Sequence, residues 1–363
     1  MMDFKKSLIA TTAIVAVGGL SMATADAAKK PKLKISGYYE LYLGVGDGDR
    51  TGTAASGTPT YGAGEEGTIS AVHYGEIRFK VKGKADNGMK WGVYFEDVQN
   101  DSDTGGKKCS SDEANMWMSG SWGKLELGGQ DGAGDKTFAG GEKLVHHSPG
   151  IVDAFACTDD YADEKMSLND SGDNTKITYY TPRISGFRLG ASYAPSDSKG
   201  TNGAAAANES QWEYGVEYKK KVSGGKLKLT LGGAFATTDN EATEQQHNYR
   251  ASINYGKGPW TIATGWKHNT DDGDLGEDGS SDSYDLAVAY SGGRYELSLY
   301  YLEHNAEDAD GDDEYSQVGL TGAYSLGKGL SIKGSLWTYD LDYTGASTDT
   351  SGTVGVISLG AKF

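Results

Sequence analysis

The chain of 363 residues has little proline (6), cysteine (2), phenylalanine (8) or histidine (6), and its 34 lysines and arginines are outnumbered by 51 aspartates and glutamates. A net charge of −17 excludes a basic nucleic-acid surface. Beyond residue 27 no apolar run reaches the roughly 18 residues of a membrane-crossing helix, so a helical bundle in a bilayer is excluded. No window of helical length carries apolar residues at helical spacing. Neither H-E-x-x-H nor G-x-S-x-G occurs, and without a plausible Ser-His-Asp set an enzyme is not expected. What is plentiful is glycine (54) and tyrosine (23). The glycine has no collagen-like period, and the aromatics separate the chain from a disordered acidic polymer, which has nothing to pack.

The first 27 residues read as an export address. Lys5 and Lys6 precede an apolar stretch from Leu8 to Leu20, and Ala25-Asp26-Ala27 or Ala23-Thr24-Ala25 supplies the small-residue cleavage site. That pattern is a secretory signal, leaving 28–363 as the mature chain. In an oxidising exported compartment a disulfide between Cys109 and Cys157 is the expectation,.

Apolar residues then alternate with polar ones along the chain. Leu33, Ile35, Tyr39, Leu41 and Leu43 alternate with Lys34, Ser36, Tyr38, Glu40 and Tyr42, and Ile77, Phe79 and Val81 with Glu76, Arg78, Lys80 and Lys82. The same period of two returns at Leu227–Leu231, Tyr284–Tyr290, Tyr295–Tyr301 and Ile357–Phe363, the signature of half-buried strands. Tight glycine-rich turns alternate with long polar connections at about 46–70, 99–113, 131–173, 195–210, 238–247, 269–282, 305–313 and 342–352. That spacing predicts sixteen strands. A soluble β-sandwich alternates too, but it would have to bury a face that carries Lys, Arg, Glu and Asp in strand after strand, which a packed core does not tolerate. A water-filled transmembrane barrel does. Tyr255, Trp260, Trp266, Tyr290, Tyr295, Tyr301, Tyr324 and Trp337 near strand ends are expected to form its interfacial girdle.

The signal segment, the opening Lys34-Ile35-Ser36-Gly37-Tyr38, the run Ile177-Thr178-Tyr179-Tyr180-Thr181-Pro182 leading into Gly186-Phe187, and the terminal Phe363 together resemble the Gram-negative general porins, particularly those of alphaproteobacteria. The resemblance covers essentially the whole mature chain. It implies an all-β, 16-stranded antiparallel transmembrane barrel in the outer membrane, with long external loops and a third loop, 131–173, folded into the lumen as a constriction. It also implies a homotrimer among outer-membrane lipid and lipopolysaccharide, and Phe363 as the signal read by the barrel-assembly machinery. Passive diffusion of ions and small hydrophilic solutes is the implied function. A substrate-selective porin stays open because Tyr38, Tyr42 and Tyr94 face inward; a barrel adhesin or enzyme is the reading from another class.

Charge is unevenly distributed. The long connections hold 36 acids and 7 bases, a net of −29, and the remainder nets +12. An acidic mouth concentrates cations, although loop charges are screened beyond about 8 Å at physiological salt. The narrowest point therefore decides selectivity. If loop 131–173 lines it, the acids Asp131, Asp135, Glu142, Asp153, Asp159, Asp160, Asp163 and Glu164 would face a basic wall of Arg78, Lys80, Lys34 and Lys82. Acids so placed predict a mild cation preference. Asp308, Asp310 and Asp312 alternate like ligands of a Ca²⁺ loop but lack its twelve-residue pattern,. A solvated acidic loop and loosely held Ca²⁺ are both open there. Gly62–Gly67 matches a dinucleotide fingerprint with no helix behind it and is set aside,.

Overall fold

The computed structural model describes residues 30–51, 69–100, 110–156, 165–168, 170–195, 210–237, 247–270, 279–308, 311–342 and 349–363. Among them sixteen antiparallel strands hydrogen-bond in chain order, and the first pairs with the last to close a barrel. The strands are β1 (Lys32–Thr51), β2 (Ser70–Lys84), β3 (Lys90–Asn100), β4 (Ser110–Gly120), β5 (Gly123–Gly129), β6 (Thr175–Tyr180), β7 (Phe187–Ala194) and β8 (Ser210–Val222). They continue as β9 (Gly225–Thr237), β10 (His247–Lys257), β11 (Trp260–Thr270), β12 (Ser280–Gly292), β13 (Tyr295–Asp308), β14 (Gly311–Gly327), β15 (Leu330–Asp342) and β16 (Asp349–Lys362).

Alternation sets which way each strand faces. In β1, Leu33, Ile35, Tyr39, Leu41 and Leu43 are exposed on the outer surface, while Glu40 between them is buried inside. A one-residue slip would send the acids and lysines of this strand into lipid, so the register is strongly specified. Closure leaves no strand edge, which is how a sheet satisfies its backbone in hydrocarbon. Ser223 and Gly224, with φ of 49° and 77°, form a two-residue turn of the type that matches strand twist. At the seam Gly37 donates to the Phe363 carbonyl at 2.9 Å and accepts from the Phe363 amide at 3.0 Å.

Three features differ from the reading of the sequence. The acidic stretch 305–313, expected as a long loop, is mostly ladder: Glu307 pairs with Asp312 and Asp308 with Gly311. Trp337, expected in the girdle, points inward and is fully buried beside Tyr300, with ring centroids 5.9 Å apart. Parity explains this, since its neighbour Leu336 is exposed on the lipid face and adjacent strand residues face opposite ways. The connection after β5, read without helix, contains α1 (Ala133–Thr137), a 3₁₀ turn (Gly141–Leu144) and α2 (Ile151–Ala156).

That connection lies inside the barrel. Helix α1 packs on β6 to β9, the 3₁₀ turn on β11 to β13, and α2 on β1 and β16. The protein's apolar core is therefore internal. Phe138, Val152, Phe155 and Met166 of the loop pack against inward Tyr300, Leu302, Tyr315, Trp337, Tyr339, Leu341, Val354 and Val356. The inner face is thus not polar all round, as the alternation had suggested; from β13 to β16 much of it is a packed core.

Candidate pore constriction

The wall holds the loop by polar groups placed one after another around the barrel. Ser192 of β7 accepts from the Ala133 amide at 2.8 Å, Ser252 of β10 from Ala139 at 3.1 Å, Asp285 of β12 from Glu142 at 2.8 Å, and Thr321 of β14 from His146 at 3.1 Å. Gln317 donates to the Pro149 carbonyl at 3.0 Å. The two ring nitrogens of buried His147 meet the hydroxyls of Ser335 (2.7 Å) and Ser358 (2.8 Å) on β15 and β16. Arg250 of β10 donates to the carbonyls of Gly134 and Met166, both at 3.0 Å, and pairs with Asp135 at 2.7 Å. Small inward residues let the loop come this close. A Cβ on Gly44 would lie 2.5 Å from the Phe155 ring, and one on Gly265 would lie 2.7 Å from Phe138.

Stapled in this way, the loop covers the sector from β6 round through β16 to β1 and leaves the wall of β2 to β5 as the open side. Inward side chains there come in charged and aromatic pairs. Arg78 pairs with Glu76 and Glu96, and Tyr38 donates to Glu76 at 2.9 Å. Lys80 lies 4.6 Å from the centre of the Tyr94 ring and Lys124 5.4 Å from that of Trp117, within cation–π range. Further round, Glu217 gathers Arg183, Arg188, Lys219 and Lys228. Glu40 takes Lys333 at 2.6 Å.

The loop acids are less exposed than a row lining water would be. Asp135 turns to Arg250; burial would raise its pKa, but Arg250 and Lys143 outweigh burial and hold it below the usual carboxylate range. Glu142 pairs with Lys143 at 2.8 Å. For Lys143, too, burial is outweighed: Glu142 and Asp135 raise its pKa. Asp131 is pushed up by burial and then by neighbouring Asp135. Its carboxylate comes within 4.8 Å of those of Glu113 and Asp173, so these three residues could share a cation. Asp170, in the returning arm, is raised to about 7 by burial and by Glu213.

Of the residues singled out from the sequence, Arg78, Lys80, Lys34 and Lys82 stand on the inner face of β1 and β2. Asp131, Asp135 and Glu142 lie along the loop, but Asp135 and Glu142 are engaged by bases rather than facing β2. The side chains of Asp153 and Asp308, and all of Asp159, Asp160, Asp163, Glu164, Asp310, Cys109 and Cys157, lie outside the described residues. Sequence reasoning gave no role to Glu96, Glu217, Arg250 or Lys124. Inward parity could have flagged Glu96 and Lys124, whereas the Arg250 contact with Asp135 joins residues 115 apart.

A model of the Gram-negative porins matches residues 10–344. The chain belongs to the Gram-negative porin family. Its fold is shared by the anion-selective porin of Comamonas acidovorans, with a TM-score of 0.65, 16% identity, and 92% of this chain and 100% of that one covered. It is shared also by Salmonella typhi OmpF in complex with daunomycin, at 0.63, 12%, 91% and 97%. A mutant of the Rh. blastica porin gives 0.57, 16%, 92% and 100%. The sequence matches none of the curated proteins with which it was compared. Family and barrel place this porin in the outer membrane and make it a channel.

Proposed function

We propose that this porin passes ions and small hydrophilic solutes down their gradients through the space between the loop and the wall of β2 to β5, one such pore in each subunit of a homotrimer. Selectivity is decided in that narrow zone, because the charges of the outer mouth are screened within about 8 Å. The observation that carries the reading is the sign of the charge left exposed there. Lys136 and Lys80 are half-buried and Lys82 is exposed, while Asp135 is engaged by Arg250 and Glu142 and Lys143 offset one another. The narrow zone therefore favours small anions. Reversal potentials in planar bilayers under a KCl gradient test this: chloride preference is expected, and potassium preference overturns it.

A mild cation preference is the second reading, favoured by the net −29 of the long connections. It predicts a reversal potential of the opposite sign that collapses toward zero as salt rises and the mouth is screened. Trimer assembly and recognition of Phe363 by the barrel-assembly machinery rest on the family. Phe363 suits that role in being 65% exposed while its backbone closes the seam.

A further inference from the structure

On the short-turn side of α1 the wall of β2 to β5 forms a recess of about 500 Å³. Four amines converge on it: Lys80 and Lys82 from β2, Lys124 from β5 and Lys136 from the loop. They are counterbalanced only in part, since two glutamates, Glu113 and Glu126, line the same recess. Glu126, buried at the back, takes Lys124 and lies 3.7 Å from Lys136, so one carboxylate serves two ammonium groups. No carboxylate pairs with Lys80 or Lys82 among the described residues. Across the ladder Lys80 stands directly opposite Lys34, and Lys82 opposite Lys32. Like charges directly opposed weaken a sheet, so this arrangement works against stability. On the same strand, two residues before Lys80, Arg78 shows the contrasting case, a base neutralised by two glutamates.

The recess is also preorganised. The Tyr94 and Trp117 rings lie under the Lys80 and Lys124 ammonium groups and hold two long, flexible side chains where a solute would meet them. A recess with low-dielectric walls focuses such a field. The excess charge, spread over several amines lining one recess, matches a compact anion bearing two charges better than a single chloride ion.

We propose that this recess is a binding station for small divalent oxyanions, such as inorganic phosphate or a phosphate monoester, on their way through the pore. The proposal rests on the reading of a basic narrow zone and names the solute class that zone selects. Binding at a station must be weak enough for release, and conduction then saturates with solute.

Single-channel chloride current of the intact porin, measured while inorganic phosphate is added at pH 8, tests it. The current is expected to fall and level off as phosphate rises. The double variant Lys80→Gln/Lys82→Gln should raise the half-blocking concentration about tenfold, the factor that ~1.4 kcal/mol represents. Lys80→Arg, which keeps the charge, should leave it near the wild-type value. Glycerol phosphate in place of phosphate separates the sources: block by both is expected for a station reading the dianion. A wild-type current that phosphate never reduces saturably overturns the proposal whether or not the variants fold, and so does an unchanged half-block in the double variant. The KCl reversal potential without phosphate reports on selectivity separately. A cation-preferring channel that phosphate still blocks keeps the station and removes the selectivity reading; an anion-preferring channel without saturation does the reverse.

Discussion

The inner face of this barrel has two unlike sectors. From β13 to β16 it is mostly apolar and roofed by the loop, with Trp337, Tyr300 and Val354 almost completely buried. From β2 to β5 it is charged, aromatic and open, with Arg78 and Lys124 about a third or more exposed. Both sectors obey the same outward alternation, because lipid imposes one rule on the outer surface all round. Inside, water and the loop are alternative partners, and each selects its own chemistry. The difference teaches that the bore is made by filling one side rather than by narrowing the cylinder.

The strongest way to break this division is at Arg250. Arg250→Ala removes three bonds to the loop and leaves Asp135 without its buried partner. The cost should lie toward the lower end of the roughly 3–5 kcal/mol typical of a broken buried pair, since Asp135 keeps 29% side-chain exposure,. A lower thermal unfolding midpoint and a larger, noisier single-channel conductance are expected; unchanged conductance would mean the loop is held without it. Gly44→Val comes next. Overpacking of this kind costs about 1–3 kcal/mol, and because it drives Phe155 toward the open sector, conductance should fall while the loop stays folded.

Arg78→Glu sharpens the comparison from the open side. It turns a neutralised cluster into three facing acids and should shift the permeability ratio toward cations by roughly two- to fivefold, equivalent to about 0.5–1 kcal/mol in a screened aqueous pore. An unchanged reversal potential would remove Arg78 from the conducting path. The smallest effect is expected from pH. Asp170 has a folded pKa of about 7, raised by burial and by Glu213. Between the ordinary carboxylate range and 7 the folded chain therefore binds more protons than the unfolded one, and stability falls as pH rises through this window. The amide of Ser171 should exchange more slowly at pH 5.5 than at pH 8.5 after correction for intrinsic rate, and Asp170→Asn should erase the difference. Asp135 has the opposite sign: its stabilising pair persists above the usual carboxylate range and is lost as pH falls below it,.

How much of this was legible follows from the distance between partners. Strands declare themselves locally: Leu33 to Leu43 fixes the outward face of β1 without reference to anything else, and Ser223-Gly224 marks the turn between β8 and β9. The sixteen strands followed from that, while the inward third loop was implied by the resemblance to general porins. What the loop touches is written far away in the chain. His147 meets Ser335 and Ser358, 188 and 211 residues on, and no local pattern announces such a pairing. Trp337 was misplaced for the same reason, since a tryptophan near a strand end suits an interfacial girdle as well as it suits a core. Counting the acids of 131–173 could not show that Asp135 would be spent on Arg250.

The small residues beneath the loop have a consequence for how such channels can change. The route of the constriction is inscribed on the cylinder as a mould, in places such as Gly44 and Gly265 where side chains are missing. A loop transplanted from another barrel would arrive without its imprint and be held off the wall. Changes of aperture should therefore require paired edits, one in the insert and one in the surface that receives it. A lineage could widen its pore by a single step only at positions where the mould has slack.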